Sequence, residues 1–418
     1  PTLKKAISYL VSCVGISDGT QGLPGCNVLG VFCPVSCGLC DAMGFGPPTC
    51  SATEIREAKT ALAETLRNLG VCEDCAAPDD DSLPMEYRLI EANLPLTFNT
   101  GTYTTSDPRD PCSAGGVTCN RCGQAVHLAY GQAAPVPLGY LSESIFKAVT
   151  LQTMYLQRAG APQALPVLDS AGWRNFPNLT SLITTGVFSG DLPDFSASPW
   201  FTFLRISDAG SFSGNVNSVF ASGRLAVIVL IQDDPAAGVA GQQLDETICK
   251  NAQSLEVLDI VALGTIGPLP ACMEEMTKIR IIRSIGNFWT GDAAPLLSSP
   301  GLQEVIVQGG SQLSGPLPTA LENAMIMRIL QLPDNRFTGT LPEFKSPVLK
   351  FLSLDGNQIS DSKPLLTGNR LVIRLANNNF TSIPAVWWNL PEVTSLDLSF
   401  NQITRWPEAG LQREGLLS

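Results

Sequence analysis

The distal part of the chain repeats one pattern of apolar and polar positions. In Val393–Ile403, VTSLDLSFNQI, the residues Val393, Leu396 and Leu398 hold the first, fourth and sixth positions, and Asn401 holds the ninth. Alternating apolar and polar residues predict a short strand with one buried face, and the asparagine amide can satisfy backbone groups of an adjacent turn. Recurrence at steps of about 21 to 30 residues predicts a solenoid of stacked coils. Other first positions are Leu151, Leu179, Phe201, Leu225, Leu255, Ile279, Leu302, Met327, Leu349 and a residue near Arg370, with ninth-position asparagines at Asn335, Asn357 and Asn378.

A second motif follows the asparagine position and resembles a known repeat family. The motif reads FSGDLP at Phe188–Pro193, IGPLP at Ile266–Pro270, LSGPLP at Leu313–Pro318 and FTGTLP at Phe337–Pro342. It resembles the plant-type leucine-rich repeat, whose L-x-G-x-L-P segment follows the concave strand. The resemblance implies an α/β solenoid with a curved parallel sheet over residues 125–418, in about twelve repeats. No closing C-terminal cap is recognisable, so we expect a longer natural chain or a partner at this end.

The N-terminal cysteines indicate an oxidising compartment. Of 13 cysteines, only Cys249 and Cys272 lie beyond residue 123, and such crowding is typical of extracellular modules. The ending CPVSCGLC, with Cys33, Cys37 and Cys40, resembles the ShK-type module and implies disulfides within residues 1–45. Full members carry six cysteines and this segment has five, so the sixth is upstream of Pro1, replaced by Cys50 or absent. The alternative interpretation is an irregular disulfide-linked cap without activity. No Lys or Arg lies between Cys13 and Cys40, which argues against toxin-like channel block.

Residues 46–124 are predicted to form a helical, disulfide-bonded cap. Ser51 and Glu54 form a capping box at the start of a helix over Ser51–Leu69, and Gly70 ends it. The segment Asp110–Cys119, DPCSAGGVTC, resembles the N-terminal cap of plant-type leucine-rich repeat proteins, although the usual Trp is missing. That resemblance implies a Cys112–Cys119 disulfide and a sheet that begins at Ala125–Tyr130. A cap is needed because the first coil would otherwise expose its apolar face.

The remaining cysteines and acidic clusters favour disulfides over metal sites. The pairs Cys72-x2-Cys75 and Cys119-x2-Cys122 are too far apart for a compact zinc ribbon. We expect Cys50, Cys72, Cys75 and Cys122 to form disulfides in an unassigned order. Cys249 and Cys272 are expected to link two neighbouring coils, and Asp79–Asp81 is interpreted as a solvated turn rather than a calcium loop. No metal or cofactor is predicted.

Composition excludes several classes of function. The formal net charge is −12, the calculated pI is about 4.6 and only 15% of residues are charged, so neither nucleic acid nor an anionic membrane surface is an expected partner. No apolar run is long enough to span a bilayer. The one histidine, His127, is interpreted as structural, and Glu256 with Asp259 as a solvated face rather than a catalytic pair. We therefore predict that the chain is not an enzyme.

The repeat frame predicts a concave binding surface. If the first, fourth and sixth positions point inward, the second, third, fifth and seventh line the concave face. The third position is mostly apolar across successive repeats, which indicates a contact surface, although β-branched residues also simply favour strands. The predicted partner is a protein or peptide; the alternative is other copies of the chain in a wall, sheath or filament. The candidate binding residues are Phe203, Arg205, Val227, Val229, Val257, Asp259, Ile281, Arg283, Ile306, Phe351 and Arg374.

Two glycosylation sequons fit the secretory route. They are Asn178-Leu179-Thr180 and Asn379-Phe380-Thr381, and both lie beside predicted strands. Sequons of this type are glycosylated in proteins that enter the secretory pathway. Together with the cysteines, they predict an extracellular or cell-surface glycoprotein.

Overall fold

The structure is a computed structural model, and it describes part of the chain. The described residues are 52–68, 112, 116–120, 124–130, 141, 143–157, 167–207, 212–232, 239–364, 366–368, 370–389 and 393–404. The chain divides into two compact units, Pro1–Ile55 and Arg56–Ser418. The predicted ShK-type module with Cys33, Cys37 and Cys40 lies outside the described residues, as do Ser51, Asp79–Asp81, Cys50, Cys72, Cys75, Cys122 and the segment 405–418.

The described strands are short and come from successive coils. In chain order they are β1 Val117–Cys119, β2 Ala125–Tyr130, β3 Thr153–Gln157, β4 Val167–Leu168, β5 Ser181–Thr185, β6 Ser189–Asp191, β7 Phe203–Ser207, β8 Phe212–Ser213, β9 Val227–Ile231, β10 Val257–Val261, β11 Ile266–Pro268, β12 Ile281–Ile285, β13 Phe288–Asp292, β14 Glu304–Gln308, β15 Gln312–Pro316, β16 Ile329–Gln331, β17 Arg336–Leu341, β18 Phe351–Ser353, β19 Gln358–Ser362, β20 Leu371–Arg374 and β21 Val393–Asp397.

These strands form three sheets. The main sheet has thirteen strands in the order β1-β2-β3-β5-β7-β9-β10-β12-β14-β16-β18-β20-β21, and only β1 is antiparallel to its neighbour. The L-x-G-x-L-P segments form two lateral sheets, β11-β13-β15-β17-β19 and β4-β6-β8. Each coil therefore contributes one strand to the main sheet and, in most coils, a second strand beside it. The predicted solenoid with a parallel sheet is confirmed.

Short helices close the coils on the side opposite the main sheet. The helix α2, Ala294–Leu297, is a single turn, and the other described closures are 3-10 helices. Asp169, Asn215 and Asp245 cap three of them by accepting hydrogen bonds from backbone N–H groups, as expected for capping side chains. The 3-10 helices are Glu143–Lys147, Ser170–Asn175, Val216–Phe220, Glu246–Asn251, Ala271–Glu275, Thr319–Asn323 and Ala385–Asn389.

The core consists of the repeat positions that the frame places inward. First-position residues such as Leu151, Leu255 and Leu349 are fully buried, which makes each coil part of one continuous apolar interior. The degenerate repeat differs from the predicted start near Arg370. Arg370 is exposed with φ +52°, and Leu371 takes the buried first position instead. β20 has one residue fewer than β21 between its first and third positions, and the register shift at Leu371 and Val372 accommodates this difference.

A ladder of buried asparagines links successive coils. The Nδ2 of Asn378 donates to the Leu354 carbonyl of the preceding coil at 2.9 Å, and its Oδ1 accepts from the Ile359 N–H at 3.0 Å. Asn357 and Asn401 make both equivalent bonds, whereas Asn335 accepts from the Leu313 N–H of the preceding coil and donates within its own coil. The predicted role of the ninth position is confirmed, because these backbone groups cannot reach water inside the stack. Asn287 repeats the arrangement in a coil with a weaker consensus, donating to the Ile260 carbonyl at 2.9 Å.

The eighth position reverses the chain with a left-handed residue. Gly286 and Gly356 have φ of +69° and +67° there, and Asn377 has +53°. These residue types tolerate positive φ, whereas a bulky side chain is strained by it. Phe400 holds the same position in the last described coil with φ +53° and is 81% exposed. The turn between the main-sheet strand and the lateral sheet therefore keeps positive φ even where its residue is a bulky one that is strained by it.

The N-terminal side of the solenoid begins with a helix and a disulfide. The helix α1 spans Ala52–Asn68, close to its predicted extent, and Leu62 and Leu66 are buried. Its Thr65 hydroxyl lies 3.1 Å from the Ser144 hydroxyl of the 3-10 helix Glu143–Lys147. The Cys112–Cys119 disulfide is confirmed, with a Cα–Cα distance of 5.7 Å. The Cys249–Cys272 disulfide, also predicted, joins the 3-10 helices of neighbouring coils.

Candidate functional site

The solvent-facing side chains of the main sheet stand in straight rows across the strands. Val227, Val257 and Ile281 are directly paired on β9, β10 and β12, and we call this third-position line row three. The parallel fifth- and seventh-position lines are row five and row seven. Row five runs Arg205, Val229, Asp259, Arg283, Ile306, Gln331, Ser353, Arg374 and Asp397, from β7 to β21.

An apolar patch occupies the middle of this face. It comprises the row-three, row-five and row-seven residues of β9, β10 and β12, and we call it the central patch: Val227, Val229, Ile231, Val257, Asp259, Val261, Ile281, Arg283 and Ile285. Its apolar members are half-buried except Ile285, which is 37% exposed. Strand and residue spacings give the patch dimensions of roughly 10 by 13 Å. The structure thus brings the predicted residues of three repeats together into one surface.

A cluster of alternating charges crosses the central patch. Arg283 Nε donates to Glu304 Oε1 at 2.7 Å, and Arg283 Nη1 lies 3.6 Å from Asp259 Oδ2. The hydrogen bond that Arg283 donates to Glu304 raises the pKa of Arg283 above its usual value, so the guanidinium stays charged. Because Nε is held by one carboxylate and Nη1 approaches the other, the guanidinium plane is fixed in the patch.

Asp259 differs from its predicted solvated state. It is only 8% exposed, and its Oδ1 is buried without a hydrogen-bond partner among the described residues. Burial raises the pKa of Asp259 above its usual value, although Arg283 and Arg205 act in the opposite direction. The interpretation as a solvated face is therefore wrong for this residue. The surrounding β-branched side chains exclude water from it, and a frame based on alternation alone cannot foresee that effect.

Replacing Asp259 by asparagine is expected to change the pH dependence of stability in a defined direction. Between the ordinary value of 3.8 and the raised folded pKa, the folded chain binds a proton that the unfolded chain lacks. Wild-type stability therefore falls as pH rises through this window. An asparagine side chain has no such proton to lose, so the unfolding free energy of Asp259→Asn relative to wild type should increase from about pH 3 to about pH 7.

Paired urea titrations at several pH values measure this difference. The charged groups near Asp259 are Arg205, Arg283 and Glu304, with Glu256 directly before the same strand, and all stay in both proteins. A difference that is independent of pH would contradict the burial of the Asp259 carboxyl in the folded chain.

Exposed cations lie further along the sheet on the C-terminal side of the central patch, beyond β14. Arg328 and Lys350 hold the second positions before β16 and β18, and both are exposed. Arg374 in row five lies with its Cζ 5.3 Å from the centre of the Phe351 ring. None of the ion pairs between described residues includes these three cations. Arg328 and Lys350 were missing from the predicted site, although their second position in the frame already marked them as solvent-facing.

The other predicted residues lie outside the central patch, although Phe203 and Arg205 on β7 pair directly with its members Val227 and Val229. Phe203 is half-buried in row three of β7, whereas Arg205 and Arg374 are exposed. His127 Nδ1 lies 2.7 Å from Thr153 Oγ1, and burial lowers the pKa of the ring. Both sequon asparagines, Asn178 and Asn379, are exposed. In the described part of the chain, no cluster of His, Cys, Asp or Glu side chains could hold a metal, and no helix has the length and apolarity to cross a bilayer.

Comparison with known proteins supports the architecture. No protein-family model matches the chain, and no curated protein matches it. Among solved structures it is similar to the PEPR1–AtPEP1 complex, with a TM-score of 0.57 and 19% identity over 83% of this chain and 48% of that one. It is also similar to the plant peptide hormone receptor RGFR1 in complex with RGF2, with a TM-score of 0.51 and 18% identity over 68% of this chain and 56% of that one.

A third similar structure is a plant ice-binding protein. Its TM-score is 0.53 at 16% identity, over 75% of this chain and 90% of that one. The chain thus spans about half the length of the two receptor structures and most of the ice-binding protein. At these identities the likeness shows the fold alone, and the conclusion is that this chain is a leucine-rich repeat solenoid.

Proposed function

We propose that this chain is a secreted interaction protein that binds an extended protein or peptide segment across its concave face, without chemistry of its own. The observation that carries the proposal is the central patch, where seven apolar side chains stand on a solvent-facing sheet in three consecutive strands. When a partner covers an apolar area of this size, its removal from water favours binding.

The charge cluster in the patch supports recognition of a peptide chain. Arg283 has donors that neither Asp259 nor Glu304 engages, since a guanidinium carries five N–H groups. Such a fixed donor can bind a backbone carbonyl or side-chain carboxylate of a partner lying across the strands. Across the three strands the patch measures roughly 10 Å, which matches about three extended residues.

The exposed cations on either side of the patch indicate that the preferred partner carries negative charge. Arg205 lies on the N-terminal side of the patch, while Arg328, Lys350 and Arg374 lie on the C-terminal side. These exposed positive groups stand on a chain whose formal net charge is −12. A partner with apolar residues followed by acidic ones fits this arrangement best, because opposite charges steer and orient association.

Two of the similar structures are peptide complexes, which agrees with this class of partner. One is a plant peptide hormone receptor with RGF2, and the other is PEPR1 with AtPEP1. The disulfides Cys112–Cys119 and Cys249–Cys272 fit an oxidising, extracellular location, since such bonds persist there.

A structural role in an assembly of identical chains is the second candidate. Its support is a separate cluster of exposed apolar side chains at one sheet edge, Met325, Ile326 and Val348, which are 49%, 47% and 41% exposed. Light scattering after size exclusion, over a dilution series, separates the two candidates. Recognition predicts a monomer at every concentration, and a structural polymer predicts an assembly that resists dilution.

Selection from a displayed library of random peptides then tests recognition directly. We expect wild-type protein to enrich peptides that combine apolar and acidic residues, and a protein carrying Val227→Ser, Val257→Ser and Ile281→Ser not to enrich them. Equal enrichment by both proteins would place binding elsewhere on the chain and refute the proposal.

A further inference from the structure

An exposed tryptophan lies between a sequon and an arginine at one edge of the main sheet. Trp200, which is 54% exposed, directly precedes the buried first-position residue Phe201. Its equivalents in the adjacent coils are Asn178 and Arg224, because β5, β7 and β9 pair without a shift. The register continues before the strands, where Thr202 N donates to Thr180 O at 2.9 Å. Asn178, Trp200 and Arg224 therefore follow one another across the coils at steps of roughly 5 Å.

Arg224 covers one face of the Trp200 ring, and about half of the side chain remains exposed. The Arg224 Cζ lies 4.6 Å from the ring centre, within the range of a cation–π contact. Arg224 belongs to the following coil, so the covered face is the one turned toward that coil. The opposite face is turned toward the coil of Asn178. Arg224 thus orients the ring and leaves a flat aromatic surface beside the sequon.

The sequon itself presents its asparagine to solvent. Asn178 is exposed, while Leu179 is buried in the core. The Thr180 hydroxyl donates to the Gln152 carbonyl at 2.9 Å, and the Thr180 N–H donates to the same carbonyl at 2.7 Å. The backbone of the sequon is therefore fixed against the preceding coil, with the asparagine side chain outside it.

We propose that Asn178 carries an N-linked glycan whose first N-acetylglucosamine packs on the face of Trp200 opposite Arg224. In the modification, the Asn178 side-chain nitrogen bonds to the anomeric carbon of a lipid-diphosphate-linked oligosaccharide. The bond between that carbon and the diphosphate breaks, the lipid diphosphate leaves with the electron pair, and the amide gives up one proton. The sugar C–H groups then meet the negative face of the ring, the side to which partial positive charge is attracted.

This contact distinguishes Asn178 from the other sequon. Asn379 follows the ninth-position Asn378, so its equivalents in the neighbouring coils are Gln358 and Gln402. No aromatic residue holds those two places. Both sugars would project from edges of the sheet rather than from rows three, five and seven, and the glycan inference is independent of the proposed peptide binding.

Nuclear magnetic resonance of the trimmed glycoprotein tests the inference. The whole chain is secreted from a eukaryotic host fed with ¹³C-labelled N-acetylglucosamine, and an endoglycosidase leaves one sugar at each site. Glycopeptide mass spectrometry should find Asn178 occupied, and Asn178→Gln assigns its resonances. We expect ring-current upfield shifts of this sugar that Trp200→Ala abolishes and Trp200→Phe partly retains.

The Asn379 sugar is the internal control, and its resonances should not respond to Trp200→Ala. An unmodified Asn178 in the secreted protein overturns the proposal. So do Asn178 sugar resonances that are the same in wild type and in Trp200→Ala.

Discussion

Replacing Asn357 by alanine is expected to lower the free energy of unfolding by about 3 kcal/mol, because two or more buried backbone groups lose their hydrogen-bond partner. The Asn357 Oδ1 accepts from the Phe337 N–H at 3.0 Å, and its Nδ2 donates to Leu332 O at 3.0 Å and Leu354 O at 2.8 Å. All these groups are buried between coils, where water cannot replace the lost amide. Urea unfolding followed by circular dichroism measures the effect.

Two further variants separate hydrogen bonding from other causes. Asn357→Asp keeps the acceptor for the Phe337 N–H but loses both donors, so it should also be strongly destabilising. Gln358→Ala removes an amide of similar kind from an exposed neighbouring position and should change stability by less than about 0.5 kcal/mol. Similar stabilities for Asn357→Ala and Gln358→Ala would show that the asparagine ladder does not hold the coils together.

The second large effect is expected on binding. For a peptide obtained by selection on the wild-type chain, the triple change Val227→Ser, Val257→Ser and Ile281→Ser should weaken the affinity roughly a hundredfold. The three residues are adjacent in row three and half-buried. Each change removes methyl groups that a partner would cover, at about 1 kcal/mol apiece. Isothermal titration calorimetry measures both affinities.

A matched control uses apolar residues at the sheet edge. Met325→Ser, Ile326→Ser and Val348→Ser also remove three exposed apolar side chains, but none lies in the central patch. This control should bind the peptide as wild type does. If the control loses affinity and the row-three variant does not, the partner contacts the edge of the sheet, and the concave face is not the binding surface.

The repeat frame predicted much of the fold because its signal is periodic and redundant. A single copy around Val393 would be weak, but the same first, fourth, sixth and ninth positions recur through the chain. The frame placed Cys249 and Cys272 on neighbouring coils, where the disulfide lies, whereas β2 was predicted from the resemblance to the N-terminal cap. It placed the start of the degenerate repeat near Arg370, where Leu371 is the buried residue, because β20 has one residue fewer between its first and third positions than the frame assumes.

The candidate site was only partly predictable. The frame indicated which residues face solvent, including Val229, Asp259 and Arg283, but not how much of each is covered. Asp259 was expected in water and is buried, because its exposure depends on side chains from adjacent strands that lie more than twenty residues away in sequence. The second-position cations Arg328 and Lys350 followed from the same frame, yet their relation to the patch required the strand register.

The sequence by itself determined the solenoid, its inward positions and the asparagine ladder, since these depend on local periodicity and on the need to satisfy buried backbone groups. Only the tertiary structure decided which side chains stand together. Strand pairing sets Arg283 between Asp259 and Glu304, and it sets Trp200 between Asn178 and Arg224. The physical reason is register: neighbouring strands lie roughly 5 Å apart in space, while the intervening coils vary in length along the chain.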